Sequence, residues 1–181
     1  TARTGSFYLT ETVTIPTASA GGTRVQAAID LGAYVSVADG LAIAIDQVDF
    51  VWQGGTTNYN LASSMVSGDA ALGLQLTDLN PSTAFLRADD HSLIASGAMN
   101  IDQGNNVVSM SSDLYPDNFG PNALSESFMV VNDSLYLVGG IDSLGTAADA
   151  LSCTVRIRCR IVKLGKQDWI AIAIQSTASD N

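Results

Sequence analysis

The chain has 181 residues and a formal net charge of −10. This balance argues against a nucleic-acid-binding protein, because phosphate binding requires a basic surface. No stretch of 18 or more apolar residues occurs, so no segment is predicted to cross a membrane as a helix. The length suits one domain, and we expect residues 1–181 to form a single domain ending in a polar tail over residues 175–181.

Charged residues make up 14% of the chain, against about 25% in ordinary soluble domains. Two interpretations are open. Much of the surface could be covered by other copies or partners, or the surface could be neutral and rich in Ser, Thr, Asn and Gly. We favour extensive interfaces.

The N-terminal part alternates between apolar and polar residues, which is typical of strands with one buried face. Gly5–Ile15 shows this pattern, but Glu11 falls on the apolar side, which favours an edge position. Arg24–Asp30 is a second apolar run. Leu41–Trp52 is strongly strand-like, and its apolar positions change parity, which predicts a β-bulge near Asp46-Gln47.

The middle of the chain contains several shorter strand candidates. Ala71–Leu79 is predicted as a strand, and shorter apolar pieces follow between residues 85 and 110. Residues 111–127 resemble a long loop. Phe128–Val131 and Ser134–Val138 flank Asn132-Asp133, so a β-hairpin is expected there.

The longest alternation lies in Ser152–Leu164 and predicts a long strand with two distinct faces. The apolar face carries Cys153, Val155, Ile157, Cys159 and Ile161. The opposite face carries Thr154, Arg156, Arg158, Arg160 and Val162. The two cysteines would lie roughly 20 Å apart along the strand, too far for a disulfide, so we expect them to pack in the core.

The three arginines on one strand face are the most distinctive feature of the sequence. Like charges on one face repel unless they are solvated or paired. One interpretation is a solvated outer face with acidic cross-strand partners. The other is an intersubunit contact of Arg156, Arg158 and Arg160 with an acidic neighbour, which suits the bidentate pairing of arginine with carboxylates. Anionic lipid or nucleic acid is a further alternative.

The last apolar piece, Trp169–Ile174, suits a strand, although Gly165–Asp168 could equally begin a short C-terminal helix. Eight or nine strand candidates are separated by turn signals, and no long helical periodicity occurs. The predicted fold class is therefore all-β: an antiparallel single jelly-roll barrel or sandwich of about eight strands, with a short C-terminal helix as an option.

No catalytic motif is present, and we predict no catalytic residues, cofactor or metal ion. His91 beside Asp89 and Asp90 is interpreted as part of a solvated loop rather than a site. Oxygen ligands for Ca²⁺ could come from the 111–127 loop, but their spacing matches no EF-hand; they are Asp113, Asp117 and Asn118.

Three stretches carry a family resemblance: DLGAYVSVADGLAIAIDQVDFVW (Asp30–Trp52), LYLVGGIDSLGT (Leu135–Thr146) and TVRIRCRIVKLGKQDWIAIAIQS (Thr154–Ser176). Together they resemble the small jelly-roll major capsid proteins of sphaerolipovirus-like icosahedral viruses, which infect halophilic archaea and some thermophilic bacteria. The resemblance implies a structural, non-enzymatic protein with an upright β-barrel. It would be made in the host cytoplasm and build capsomers in the virion. Its partners would be its own copies and a sister capsid protein, around an internal lipid membrane.

Two other functions are compatible with the sequence. One is a carbohydrate- or ligand-binding β-sandwich that uses aromatic residues in loops or at strand ends: Trp52, Tyr59, Tyr115 and Phe119. The other is a cupin-like enzyme, which the single histidine makes less favourable.

Overall fold

Eleven strands and one helix make up the regular structure in the computed structural model, which describes residues 4–55, 61–112, 128–143 and 145–177. The strands are β1 (Phe7–Ile15), β2 (Arg24–Asp30), β3 (Leu41–Gly54), β4 (Val66–Ser67), β5 (Ala70–Thr77), β6 (Leu93–Asp102), β7 (Val107–Ser112), β8 (Phe128–Val130), β9 (Ser134–Asp142), β10 (Thr146–Ala147) and β11 (Leu151–Lys163). A 3₁₀ turn (Ala62–Ser64) precedes β4, and helix α1 (Lys166–Thr177) follows β11.

The strands form two antiparallel sheets and a small ribbon. Sheet A has the order β1-β11-β3-β8, and sheet B has the order β2-β9-β5-β6-β7, while β4 pairs with β10. Four pairings are nested along the chain: β1 with β11, β2 with β9, β3 with β8, and β5 with β6. This folding of one long strand pair into two sheets is a jelly roll. The predicted all-β jelly roll with a short C-terminal helix is therefore confirmed.

The core lies between the inner faces of the two sheets. Every second residue of β11 from Leu151 to Cys159 is buried in it, as the alternation predicts. From sheet B, β5 contributes Leu72, Leu74 and Leu76, none of which is exposed. Strand β1 lies at the edge of sheet A, where the position of Glu11 predicted it.

The predicted bulge in β3 is confirmed. Arg158 of β11 pairs with Gln47, but the next residue, Cys159, pairs with Ile45. Asp46 is therefore the extra residue on β3, and the parity of the buried side chains changes at this point.

The predicted hairpin around Asn132-Asp133 is wrong. Strand β8 pairs with β3 in sheet A, whereas β9 lies between β2 and β5 in sheet B. The side chain of Asn132 donates a hydrogen bond to the carbonyl oxygen of Asp78, and the carbonyl oxygen of Asp133 accepts one from the amide of Leu31 at 2.7 Å. These contacts hold the chain where it crosses from sheet A to sheet B. The local turn signal at Asn132-Asp133 is the same for such a crossing as for a hairpin.

Candidate assembly surface

The three arginines of β11 lie on the outer face of sheet A, as the alternation predicts, but their environments differ. Strand β11 is central, so each arginine has neighbours on both β1 and β3. Arg156 lies opposite Thr10 and Asp49, while Arg158 lies opposite Tyr8 and Gln47. The register therefore sets the neighbours of each arginine, and these neighbours determine how accessible each charge is to another molecule.

Arg160 is an internal residue rather than a surface charge. Its guanidinium lies 3.3 Å from a carboxylate oxygen of Asp46, and the two side chains are only 12% and 1% exposed. The bulge turns Asp46 towards Arg160, because the extra residue shifts the strand by one position. Removing one partner of such a buried pair leaves the other charge in a low-dielectric environment without that partner. Arg160 is therefore expected to matter for the stability of the fold.

Arg156 is exposed, and it forms the accessible part of the stripe. Its guanidinium carbon lies 5.3 Å from the centroid of the Tyr8 ring, a cation–π geometry. Tyr8 itself is 54% exposed. Arg158 lies between these two environments: it is half-buried, and its Nε has no hydrogen-bond partner among the described residues.

Helix α1 covers one end of the outer face of sheet A. Its inner side packs on a second, smaller apolar cluster, whose buried members are Ala42, Ala44, Val131 and Val162. The indole N–H of Trp169 donates to the carbonyl oxygen of Leu41 at 3.2 Å. The helix therefore covers the backbone of sheet A at the start of β3.

The outward side of α1 is apolar, which the sequence reasoning did not detect. Ile170 and Ile174 are 51% and 62% exposed and lie one helical turn apart. Val37 is 58% exposed and lines a cleft of about 240 Å³ together with Trp169 and Ile170. When the run IAIAI is placed on a helix, isoleucines fall on both sides of it. This spacing is the sequence signal that predicts an exposed apolar side.

A groove of about 380 Å³ lies on the outer face of sheet B. Its floor is made of small residues, Ala71, Gly73 and Ala98, and Phe85 forms one wall. The ring of Phe85 leans over Gly73, where a β-carbon would lie 2.9 Å from its tip. A side chain at position 73 would push the ring of Phe85 away, so the glycine permits this close approach.

Polar contacts fix the walls of this groove. The guanidinium of Arg24 lies 4.3 Å from the centroid of the Phe85 ring, and it donates to both carboxylate oxygens of Asp142 at 2.9 Å. The side chain of Gln75 holds both backbone polar groups of Leu86, at 2.7 and 2.9 Å. The loop that carries Phe85 is therefore fastened to the sheet.

Neither cysteine is placed for metal or redox chemistry. Cys153 and Cys159 are free and completely buried in the core. Burial raises the pKa of Cys153 to about 12; burial, and secondarily the negative charge of Asp46, raise the pKa of Cys159 to about 12. Both thiols are protonated at neutral pH, as expected for core residues. Within the described ranges, no cluster of three acidic, His or Cys side chains could hold a metal ion.

The remaining sequence candidates lie in an exposed loop, in the core, or outside the described residues. His91 is exposed in the loop before β6. The three Ca²⁺ candidates, Asp113, Asp117 and Asn118, lie outside the described residues, as do three of the rim aromatics, Tyr59, Tyr115 and Phe119. Trp52 lies near the end of β3, as predicted, but it is only 8% exposed and packs in the core, so it does not present its ring to a ligand.

None of the helices in the described part of the chain has the length and apolar character needed to cross a bilayer.

No protein-family model matches the sequence, and no curated protein matches it. Among solved structures, the chain is similar to VP1 of Trichodysplasia spinulosa-associated polyomavirus in complex with sialylated precision glycooligomers. The sequence identity is 9% and the TM-score is 0.40, and the match covers 90% of this chain and 98% of that chain. The same VP1 in complex with GM1 oligosaccharide matches with 10% identity, a TM-score of 0.40 and the same coverage. A chain of Desmodium yellow mottle tymovirus matches with 11% identity, a TM-score of 0.31, and coverage of 90% and 93%.

Proposed function

We propose that this chain is a structural subunit of a viral capsid that assembles with copies of itself. The observation that carries the proposal is the exposure of large apolar side chains on two separate elements. Ile170 and Ile174 are exposed on α1, and Val107 and Met110 are 55% and 66% exposed on β7. The pair on α1 forms one patch, and grouped apolar exposure of this kind marks surfaces that another protein covers. Val107 and Met110 lie on opposite faces of β7, so each adds a separate exposed apolar side chain at this edge of sheet B.

Strand β7 supports assembly for a second reason. It is the last strand of sheet B and contains no charged residue. Edge strands are usually protected from pairing by charged residues or proline. The low charged fraction of the whole chain, 14%, agrees with a surface that is largely covered in the assembled state.

The outer face of sheet A supplies a polar contact in this proposal. Arg156, stacked on the exposed Tyr8, is the group that would meet an acidic neighbour, and the half-buried Arg158 borders it. Arg160 contributes indirectly, because its pairing with Asp46 holds the bulge of β3 in place.

The type of virus is part of the proposal and rests on the resemblance of Asp30–Trp52 and the C-terminal stretches to sphaerolipovirus-like small capsid proteins. In that assignment residues 1–181 form one jelly-roll domain of the virion shell, made in the host cytoplasm. The protein binds a second, larger capsid protein near an internal lipid membrane and has no enzymatic role.

Self-assembly of the purified protein tests the function. We expect discrete oligomers or lattices by light scattering and negative-stain microscopy at high protein and salt concentrations, since salt weakens charge repulsion between chains of net charge −10. A strictly monomeric protein under all these conditions would contradict the proposal.

A further inference from the structure

The outward side of α1 has an unusual composition for a surface helix. Surface helices normally present polar residues to water, but here Lys166, Ile170 and Ile174 form one row at a spacing of four residues. The lysine is exposed, and so are both isoleucines. We call this row the α1 ridge. It combines an apolar strip with a positive charge at its N-terminal end.

The groove on sheet B has the complementary character. Small residues on its floor leave space for a helix to approach the sheet closely, and Phe85 adds an apolar wall. A second depression of about 270 Å³ shares Ala71 with the groove and is lined by Asp69 and Asp102. Together we call these two depressions the sheet-B groove.

Negative charge collects around the sheet-B groove because of the strand directions. Strand β5 begins where β6 and β9 end, so Asp69, Asp102 and Asp142 lie at the same end of the sheet. Asp102 accepts hydrogen bonds from the side chain and the backbone amide of Asn105, which lower its pKa and fix the carboxylate at this end. Arg24 pairs with Asp142 and offsets its charge, so Asp69 and Asp102 carry the negative charge of this end.

Resting on the proposed capsid function, we infer that the α1 ridge of one copy docks in the sheet-B groove of the next copy. The isoleucines cover the small-residue floor, and Lys166 meets the acidic end. The two surfaces lie on opposite outer faces of the sandwich, so the contact is head-to-tail. Contacts of this type build rings or extended arrays rather than closed dimers.

Complementary variants test this contact. Ile170→Glu with Ile174→Glu destroys the α1 ridge but leaves the groove intact, whereas Ala98→Arg fills the groove and repels Lys166. We expect each variant to lose self-association by about 100-fold or more. An equal mixture of the two variants should form a discrete heterodimer, because one intact ridge and one intact groove remain.

Sedimentation velocity measures these species, and cooperative thermal unfolding verifies that each variant folds. Leu61→Ser, at an apolar residue that is 78% exposed elsewhere, is the matched control and should assemble like the wild type. The inference is overturned if the wild type assembles and either variant alone associates as tightly as the wild type, or if the mixture associates no more tightly than each variant alone. A wild type that never assembles overturns the proposed function together with this contact.

Discussion

Arg160 and Asp46 form a nearly solvent-free ion pair across β11 and β3, at the single point where the register of the two strands shifts. The bulge and the pair depend on each other. Without the extra residue, the carboxylate would not sit at this position, and without the arginine the buried carboxylate would lack its ion-pair partner. The pair therefore fixes the register between β11 and β3 at the end of sheet A that α1 covers.

Replacing Asp46 with Asn tests this dependence. The substitution keeps the shape of the side chain but removes the negative charge that lies 3.3 Å from the guanidinium of Arg160. We expect the free energy of unfolding to fall by about 3 kcal/mol or more, measured by urea denaturation of the unassembled protein.

A matched control exists at the surface. Arg87 and Asp89 form an ion pair of 3.8 Å whose side chains are 90% and 74% exposed. Asp89→Asn should cost less than about 1 kcal/mol, because water already solvates both charges. Equal losses for Asp46→Asn and Asp89→Asn would contradict the structural role of the buried pair.

Arg156→Ala and Arg160→Ala should separate assembly from folding. Arg156 is exposed, so its removal should leave the free energy of unfolding within about 1 kcal/mol of the wild type while weakening self-association. Arg160→Ala should instead destabilise the protomer by about 3 to 5 kcal/mol. Light scattering and urea denaturation measure the two effects, and unchanged assembly in Arg156→Ala would exclude Arg156 from the interface.

The sequence predicted the features that depend on local alternation. Strands with one buried face show their burial every second residue, so β11, β5 and the bulge at Asp46 were all recognisable. The position of Glu11 likewise indicated an edge. These features depend only on which side of a strand faces the core.

Features that depend on partners distant in the chain were not predictable. The crossing at Asn132 is held by contacts to Leu31 and Asp78, and neither residue is near it in sequence. The burial of Arg160 follows from pairing with Asp46 on another strand. Alternation shows that a side chain points outward, but it does not show what covers that face.

Gly21 should tolerate no side chain, because a β-carbon there would overlap the carbonyl oxygen of Ser143. The neighbouring amide of Gly22 donates to Ile141 at 2.8 Å, so the two loops are fastened together. Since the obstacle is backbone, Gly21→Ala should separate the loops and cost about 2 kcal/mol. Gly5→Ala, with no atom within 4 Å, is the control and should be neutral or slightly stabilising. Similar thermal midpoints for both variants would refute this packing.

The buried thiols should make the protein less stable at alkaline pH. Burial raises the pKa of Cys153 and Cys159 from 9.0 to about 12. The thiols of the unfolded chain therefore ionise from about pH 9 upward, while those of the folded protein remain protonated. Their contribution to stability is complete below pH 9 and is lost as the pH rises towards 12. Each thiol should add up to about 1.4 kcal/mol per pH unit to the decline in unfolding free energy.

Urea denaturation at pH 8, 9 and 10 measures this decline. Lysine and tyrosine groups titrate in the same range, so the comparison that isolates the thiols is with the double variant Cys153→Ala, Cys159→Ala. This variant should be less stable at pH 8, because two small cavities form in the core, but its stability should fall less steeply above pH 9. Thiol-reactive reagents should label the wild type only after unfolding. Equal slopes for the two proteins, or rapid labelling of the folded wild type, would show that the cysteines are not held in the core as described.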